Sequence, residues 1–498
     1  MVNKFYITTP LYYVNASPHI GHSYTNIAAD TLARYMRKVF GPDNVWFLTG
    51  TDEHGQKIQR AADTQKLTPQ EFSDKMVLQF KELWKELEIS YDDFIRTTEE
   101  RHVTFVRRAL EILKSKGEIY EDKYEGLYCI PCENFWLESQ APDKLCPDCK
   151  RQLEIISEKN WFLNLEIHQT WLMEHIKKNI SFIQPQSRSN EVLRFLELNK
   201  LSPLCISRPK ERLSWGIPLP FSPDHVTYVW FDALLNYTSA VGKFGDSGEY
   251  KSKWWPADLH LIGKDILRHH AIYWPIILRA LGIEPPKSIF AHGWWMINQD
   301  KMSKSKGNVV NPLDMVKKFG IDVYRYFLLR DVPFGLDGNF SEESMIKRFN
   351  GDLANDLGNL IFRTLTMVEK YYAGKVPELN LNEITLDESG ERIKKKIKDL
   401  HQEVYTPLSW NRDFSSSLGK IWELINMANK YVEETKPWNL AKENKVKELE
   451  YFIRLLVDVI RAVADEVEAF MPHTARLIKE QVGLDTVKKG SPLFPRIC

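Results

Sequence analysis

Lys4-Phe5-Tyr6-Ile7-Thr8-Thr9 is followed, after the short loop Val14-Asn15-Ala16, by Ser17-Pro18-His19-Ile20-Gly21-His22. The first run is β-branched and aromatic and reads as a buried strand. Ser17 suits a helix N-cap and Pro18 the first helical position, so a helix is expected through Ala28, Leu32 and Tyr35. Val45-Trp46-Phe47-Leu48-Thr49 reads as a second strand closed by Gly50, and another helix should start near Gln56. Strand–helix–strand alternation predicts a parallel α/β sheet. Its character changes near Leu113, where four cysteines and irregular Pro- and charge-rich segments run to about Pro223. It resumes at Val226-Thr227-Tyr228-Val229-Trp230 and Leu259-His260-Leu261-Ile262-Gly263. The middle block therefore reads as an insertion splitting one nucleotide-binding domain. From Asn350 onward, Leu353, Leu357, Leu360, Ile361, Leu365 and Val368 recur at helical spacing, and a second amphipathic run covers about Leu449 to Phe470, stopped by Pro472. A helical bundle is expected there.

Composition narrows the class. The chain has 498 residues, 43% hydrophobic, enough for two to four domains with a large core. Lys+Arg and Asp+Glu both number 67, and the segment from Gly351 holds 22 basic and 23 acidic residues, so any nucleic-acid contact must rest on local patches. Met1-Val2-Asn3-Lys4-Phe5-Tyr6 is no secretory signal, and no apolar run approaches a membrane span. A cytoplasmic protein is expected, with no membrane partner.

Two segments carry chemistry. His19-Ile20-Gly21-His22 lies where a strand hands over to a helix, whose N-terminal N–H groups and partial positive charge suit phosphate. Gly21 would let an adenine or ribose approach the backbone. Taken alone, the two histidines could be ordinary surface or capping residues. Lys301-Met302-Ser303-Lys304-Ser305 places compact cations where a pyrophosphate could leave, although lysines alone more often mark a solvated loop.

Together, His-Ile-Gly-His after a first strand and Lys-Met-Ser-Lys-Ser far downstream resemble the paired signature of class I aminoacyl-tRNA synthetases. Thr8-Thr9-Pro10-Leu11-Tyr12-Tyr13-Val14-Asn15, Gly50-Thr51-Asp52-Glu53-His54-Gly55, Tyr228-Val229-Trp230-Phe231-Asp232-Ala233 and Ile262-Gly263-Lys264-Asp265 are similar to the methionyl-tRNA synthetase family, over about residues 4 to 475. The resemblance implies a Rossmann-type catalytic domain, split by a zinc-knuckle insertion and followed by an all-α helical-bundle anticodon-binding domain. The expected boundaries are 1–114 and 226–295 for the catalytic halves, 115–225 for the insertion, 296–349 for the Lys301 loop and a stem-contact region, and 350–498 for the helical domain.

The resemblance also implies roles. Leu11, Tyr13, Trp230, Tyr237, Ile266 and His270 would line a methionine pocket, and Asp52 would hold the α-amino group. Asn15, His19, Gly21, His22, Gly263, Asp265, Lys301, Ser303 and Lys304 would bind ATP with Mg²⁺, with His19, His22, Lys301 and Lys304 acting on the phosphates. Aromatic rings suit the methionine thioether, and Tyr13 or His270 could hydrogen-bond its sulfur. Each pocket residue taken singly could as well be plain core. Asn359, Arg363 and Trp438 match positions that read the C-A-U anticodon of tRNA(Met); on spacing alone they read as a solvated helix face and a core anchor.

Cys129-Ile130-Pro131-Cys132 and Cys146-Pro147-Asp148-Cys149 have zinc-ligand spacing, and four thiolates would close a structural site. Disulfides are disfavoured in the cytosol. Cys205 and Cys498 take no role. The insertion is too short for a large hydrolytic editing domain, and the chain ends soon after the bundle, so a monomer is expected. The rivals are a cysteine or branched-chain class I enzyme, a non-catalytic tRNA-binding relative and a small-molecule nucleotidyltransferase. The short insertion, the intact His and Lys motifs and the long helical region speak against them in turn.

Overall fold

The computed structural model describes residues 4–129, 134–136, 141–147, 150–297, 300–301, 310–379 and 386–497, with the backbone alone at 124, 125, 134, 135, 156, 300 and 301. It comprises two compact units, Met1–His292 and Gly293–Cys498.

The first unit is built on a seven-stranded sheet. Its strands are β1 (Phe5–Thr8), β2 (Tyr12–Tyr13), β3 (Val45–Asp52), β4 (Asp93–Arg96), β5 (Ile183–Gln184), β6 (Leu259–Gly263) and β7 (Ile289–His292). The main order is β2-β3-β1-β6-β7-β5, with β4 on the other edge of β3. Every ladder is parallel. All four residues of β1 and of β7 are buried, as expected for strands covered on both faces.

From β1 the chain passes through helix α1 (Ile20–Phe40) to β3 on one side, and from β6 through a helix at Trp274–Leu281 to β7 on the other. The strand order thus reverses between β1 and β6, and the crevice at their carboxyl ends is where open α/β sheets bind ligands. The segment after β1 carries Leu11 and Tyr13, and the segment after β6 carries Asp265 and Ile266.

Three local expectations differ from the structure. The N-cap of α1 is His19 rather than Ser17, because the imidazole reaches the first-turn N–H groups. The strand expected at Val226–Trp230 ends at Thr227 and belongs to a separate antiparallel sheet of Ser207–Pro209, Ser222–Thr227 and Pro218–Leu219. Trp230 instead sits on a helix, Val229–Leu234, since a short apolar run does not distinguish a strand from a buried helix. The stretch read as irregular is largely regular: Ile119–Cys129 pairs along its length with Glu154–Leu163, flanked by Asn134–Trp136 and Leu204–Cys205. Its outer part is an exposed charged ribbon held by ladder hydrogen bonds, so it lacks a hydrophobic pattern. β5 comes from the same stretch and completes the central sheet.

The second unit is mostly helical. Leu353, Leu357, Leu360, Ile361, Leu365 and Val368 are all buried, as their spacing predicts. A helix at Val446–Val467 carries the later amphipathic run, and Pro472 begins the next helix, Pro472–Val482. No helix among the described residues is long and apolar enough to cross a membrane.

Candidate active site

The start of α1 is built by its own histidines. His19 Nδ1 accepts the Gly21 N–H at 3.0 Å, and His22 Nδ1 accepts the His19 N–H at 3.2 Å. The rings stack with centroids 3.9 Å apart. With Nδ1 accepting in each, both imidazoles are the Nε2–H tautomer, a proton donor on the side away from the cap. Tyr12 and Phe80 back His22, with ring centroids 4.9 and 5.6 Å away. A Cβ at Gly21 would sit 2.9 Å from His19 Cε1, so this glycine makes room first for the capping ring.

Around the crevice, Leu11 is half-buried and packs where β3 carries Gly50; a Cβ there would lie 2.9 Å from Leu11 Cδ2 and 2.0 Å from the Ile95 carbonyl oxygen. Tyr13 pairs with Asp52 across the β2–β3 ladder, which places both half-buried side chains at the sheet's carboxyl edge. Gly263 ends β6, and a Cβ there would meet Asp265 Oδ1 at 2.6 Å. Asn15 and Asp265 are exposed.

Tyr237 and His270 are both buried. His270 Nδ1 donates to the Ile266 carbonyl at 3.0 Å, so its Nε2 accepts from the Tyr237 hydroxyl at 2.8 Å. Burial pushes the His270 pKa down to about 4, which keeps the ring neutral. Both nitrogens are thereby engaged, and His270 has no proton to offer a ligand sulfur. Beneath them His260 receives the Trp274 indole N–H at 3.1 Å on Nε2 and donates from Nδ1 to Thr8 at 2.7 Å. Burial holds His260 well below the ordinary histidine range too. Trp230 is half-buried and stacks on His269, centroids 3.7 Å apart. The sequence reading missed His260 and His269; the cue was a run of polar rings, at 260, 269 and 270, inside apolar segments.

Lys301 lies in a strand, Asp300–Lys301, paired with Trp295–Ile297, and Ser303 and Lys304 lie outside the described residues. Cys129 and Cys146 are buried in one small cluster with Leu127, Trp136, Ala141 and Leu153. Cys132 and Cys149 lie outside the described residues, and no group of three metal-ligating side chains comes together among the described ones.

In the second unit, Asn359 is exposed at the start of Asn359–Tyr372, and Arg363 one turn on binds Glu433 at 2.6 Å. Trp438, 39% exposed, follows the helix that carries Glu433, so it is not a core anchor. Upstream in the same helical run, the Asp352 carboxylate accepts from the Tyr326 hydroxyl at 2.7 Å, and the Asp356 backbone carbonyl accepts from the Asn429 amide at 3.0 Å.

Comparison with known proteins shows the family. The family described as tRNA synthetases class I (M) matches residues 5–155 and 149–365. The methionine–tRNA ligase of Clostridium tetani is 47% identical over 99% of this chain and 78% of that protein, and that of Caldanaerobacter subterraneus 46% over 100% and 79%. A Mycobacterium tuberculosis methionyl-tRNA synthetase solved with methionyl-adenylate superposes with a TM-score of 0.92 at 36% identity, covering 99% of this chain and 100% of that one. With its parallel sheet, its histidine-capped first helix and these matches, the chain belongs to the class I tRNA synthetases, in the methionine–tRNA ligase family.

Proposed function

We propose that this chain activates L-methionine with ATP, releasing pyrophosphate and forming methionyl-adenylate, and then passes the methionyl group to the 3′ end of tRNA(Met). The observation that carries this reading is the buried Tyr237–His270 hydrogen bond, with Trp230 stacked on the neighbouring His269, in the unit whose first helix is capped by His19. Neutral aromatic side chains suit an unbranched thioether.

The methionine carboxylate would attack the α-phosphate. His19 and His22 donate from Nε2 to phosphate oxygens, adding to the helix N-terminus, while Asn15, Gly21, Gly263 and Asp265 seat the nucleotide. Asp52 holds the ammonium, and Leu11, Tyr13, Trp230, Tyr237, Ile266 and His270 enclose the side chain. Lys301, Ser303 and Lys304 steady the leaving pyrophosphate, with Mg²⁺ accompanying ATP. No covalent enzyme intermediate is needed; positioning and charge stabilisation suffice. Asn359, Arg363 and Trp438 read the C-A-U anticodon, the indole by stacking a base.

One structural Zn²⁺ fits the donor set. The antiparallel hairpin that begins at Cys129 and the turn at Cys146, where Lys150 N–H binds the Cys146 carbonyl at 2.8 Å, bring two thiols into one cluster. Cys129, Cys132, Cys146 and Cys149 would hold the ion, which would brace the insertion and take no part in the chemistry. The protein works as a cytoplasmic monomer.

ATP–pyrophosphate exchange with each of the twenty amino acids tests the reading. Exchange should be strongest with methionine; exchange with none, or stronger with another amino acid, overturns it.

A further inference from the structure

Three of the residues assigned above to the methionine pocket sit on different elements. Asp52 ends β3, Trp230 is on the helix Val229–Leu234, and Tyr237 is on the short helix Asn236–Ser239. None of these three binds another directly in the hydrogen bonds described above. Behind them runs a buried chain of four other side chains. Asp232 Oδ2 lies 2.6 Å from His54 Nδ1, and its Oδ1 lies 2.7 Å from His102 Nε2. His102 Nδ1 lies 2.8 Å from Ser239 Oγ. Asp232 and His102 are fully buried, and His54 is 5% exposed.

The links join the pocket-bearing elements in turn, the first directly and the other two through His102. His54 is two residues beyond Asp52, Asp232 two beyond Trp230, and Ser239 two beyond Tyr237. His102, on the helix Glu100–Ser115, is the common anchor. The loop that carries His54 is also pinned from two other sides. Arg96 grips the Glu53 carboxylate through Nε at 2.7 Å and Nη2 at 2.9 Å, and the Trp215 indole N–H donates to the Glu53 carbonyl at 2.5 Å. Neither of those pins reaches the elements carrying Trp230 and Tyr237. Apolar packing would also hold these elements together, but it tolerates small slides and rotations. A carboxylate with each oxygen committed to a different imidazole does not, because each bond is directional and its loss strands a buried polar group. Burial disfavours the Asp232 charge, yet the two imidazoles outweigh it and hold the carboxyl below the usual carboxylate range.

We propose that the chain His54–Asp232–His102–Ser239 is a positioning device that sets Asp52, Trp230 and Tyr237 in register around the amino acid, and so governs methionine recognition without touching it. The proposal rests on the assignment of those three residues to the methionine pocket. None of the four linking residues is a catalytic residue in this scheme.

Steady-state ATP–pyrophosphate exchange, with KM measured separately for methionine and ATP, tests it on the full chain. Asp232→Asn and His54→Leu should raise the methionine KM by roughly tenfold and leave the ATP KM within about twofold. His54→Asn, whose amide can donate from near the Nδ1 position, should restore a methionine KM close to the wild type. A parallel rise in both KM values that tracks a drop in melting temperature, or no change in either, overturns the proposal. So does His54→Asn behaving like His54→Leu. If Asp232→Asn does not fold, the two His54 variants decide alone. Asp52→Ala and Trp230→Ala serve as controls. If they leave the methionine KM unmoved, the pocket assignment fails and the positioning role falls with it. If they raise it while the Asp232 and His54 variants do not, the positioning role alone fails.

Discussion

At position 19 a histidine stands where helices usually carry serine, asparagine or aspartate. It caps α1 through Nδ1, and in the proposed mechanism its Nε2–H would donate to phosphate, so one side chain would have a structural and a chemical duty on opposite edges of its ring. His19→Asn separates them. Asparagine caps well, so the melting temperature should stay within about 2 °C of the wild type, whereas the exchange rate should fall by about 10²-fold, as for loss of one transition-state donor. Calorimetry beside exchange kinetics checks both; a fall in stability with intact exchange would make His19 only a cap. His270 makes a second residue-scale prediction. Its pKa lies near 4 in the folded chain against about 6.5 when unfolded, so between those values the unfolded chain binds a proton that the folded one refuses. Stability from this group is full above about pH 6.5 and is lost as pH falls toward 4, a change worth about 3 kcal/mol. Denaturation midpoints should therefore fall between pH 7 and pH 4.5. His270→Gln, which takes no proton in that range, should flatten part of the slope.

Elements carry the separable functions. Trp438 sits on a short helix with its ring partly in water, beside the helix whose Glu433 holds Arg363. Trp438→Ala should weaken tRNA charging by tenfold or more, about 1–3 kcal/mol for one lost base stack, and leave pyrophosphate exchange intact. Equal loss of both activities would mark the tryptophan as structural. In the insertion, Cys129 and Cys146 share one small buried cluster with Leu127, Trp136, Ala141 and Leu153 among the described residues, and a bound metal would brace it. Metal analysis of protein purified without chelator should find about one zinc per chain, and Cys146→Ser should lower that content and open this region to protease while the central sheet survives. Protein with no zinc would remove the claim.

The proposed mechanism draws on two segments far apart in the sequence, His19-Ile20-Gly21-His22 and the one that begins at Lys301. In that mechanism the lysines would act on charge that develops as pyrophosphate leaves, so their contribution would belong to the transition state more than to substrate binding. Lys304→Ala should reduce the single-turnover rate of adenylate formation by about 10²-fold or more while methionine affinity changes little. Equal, modest losses in both would argue against the assignment.

The sequence by itself determined the class of fold, the family and the order of the motifs. Those rest on local patterns: a β-branched run before a helix start, helical spacing of Leu353 to Val368, and paired cysteines. It determined less wherever a residue's state depends on neighbours remote in the chain. That His19 rather than Ser17 caps α1 follows from the reach of an imidazole. That Asp232, in the helix of Trp230, finds its partners in His54 and His102 follows from the fold, since they lie 178 and 130 positions away. The charge inside Val229-Trp230-Phe231-Asp232-Ala233 was a legible cue that some partner exists, but not which one. Likewise the neutrality of His270, and with it the character of the proposed pocket, was decided by Ile266 and Tyr237 together with burial. Hydrogen-bond partners and desolvation are properties of the packed chain, so only the tertiary structure could assign them.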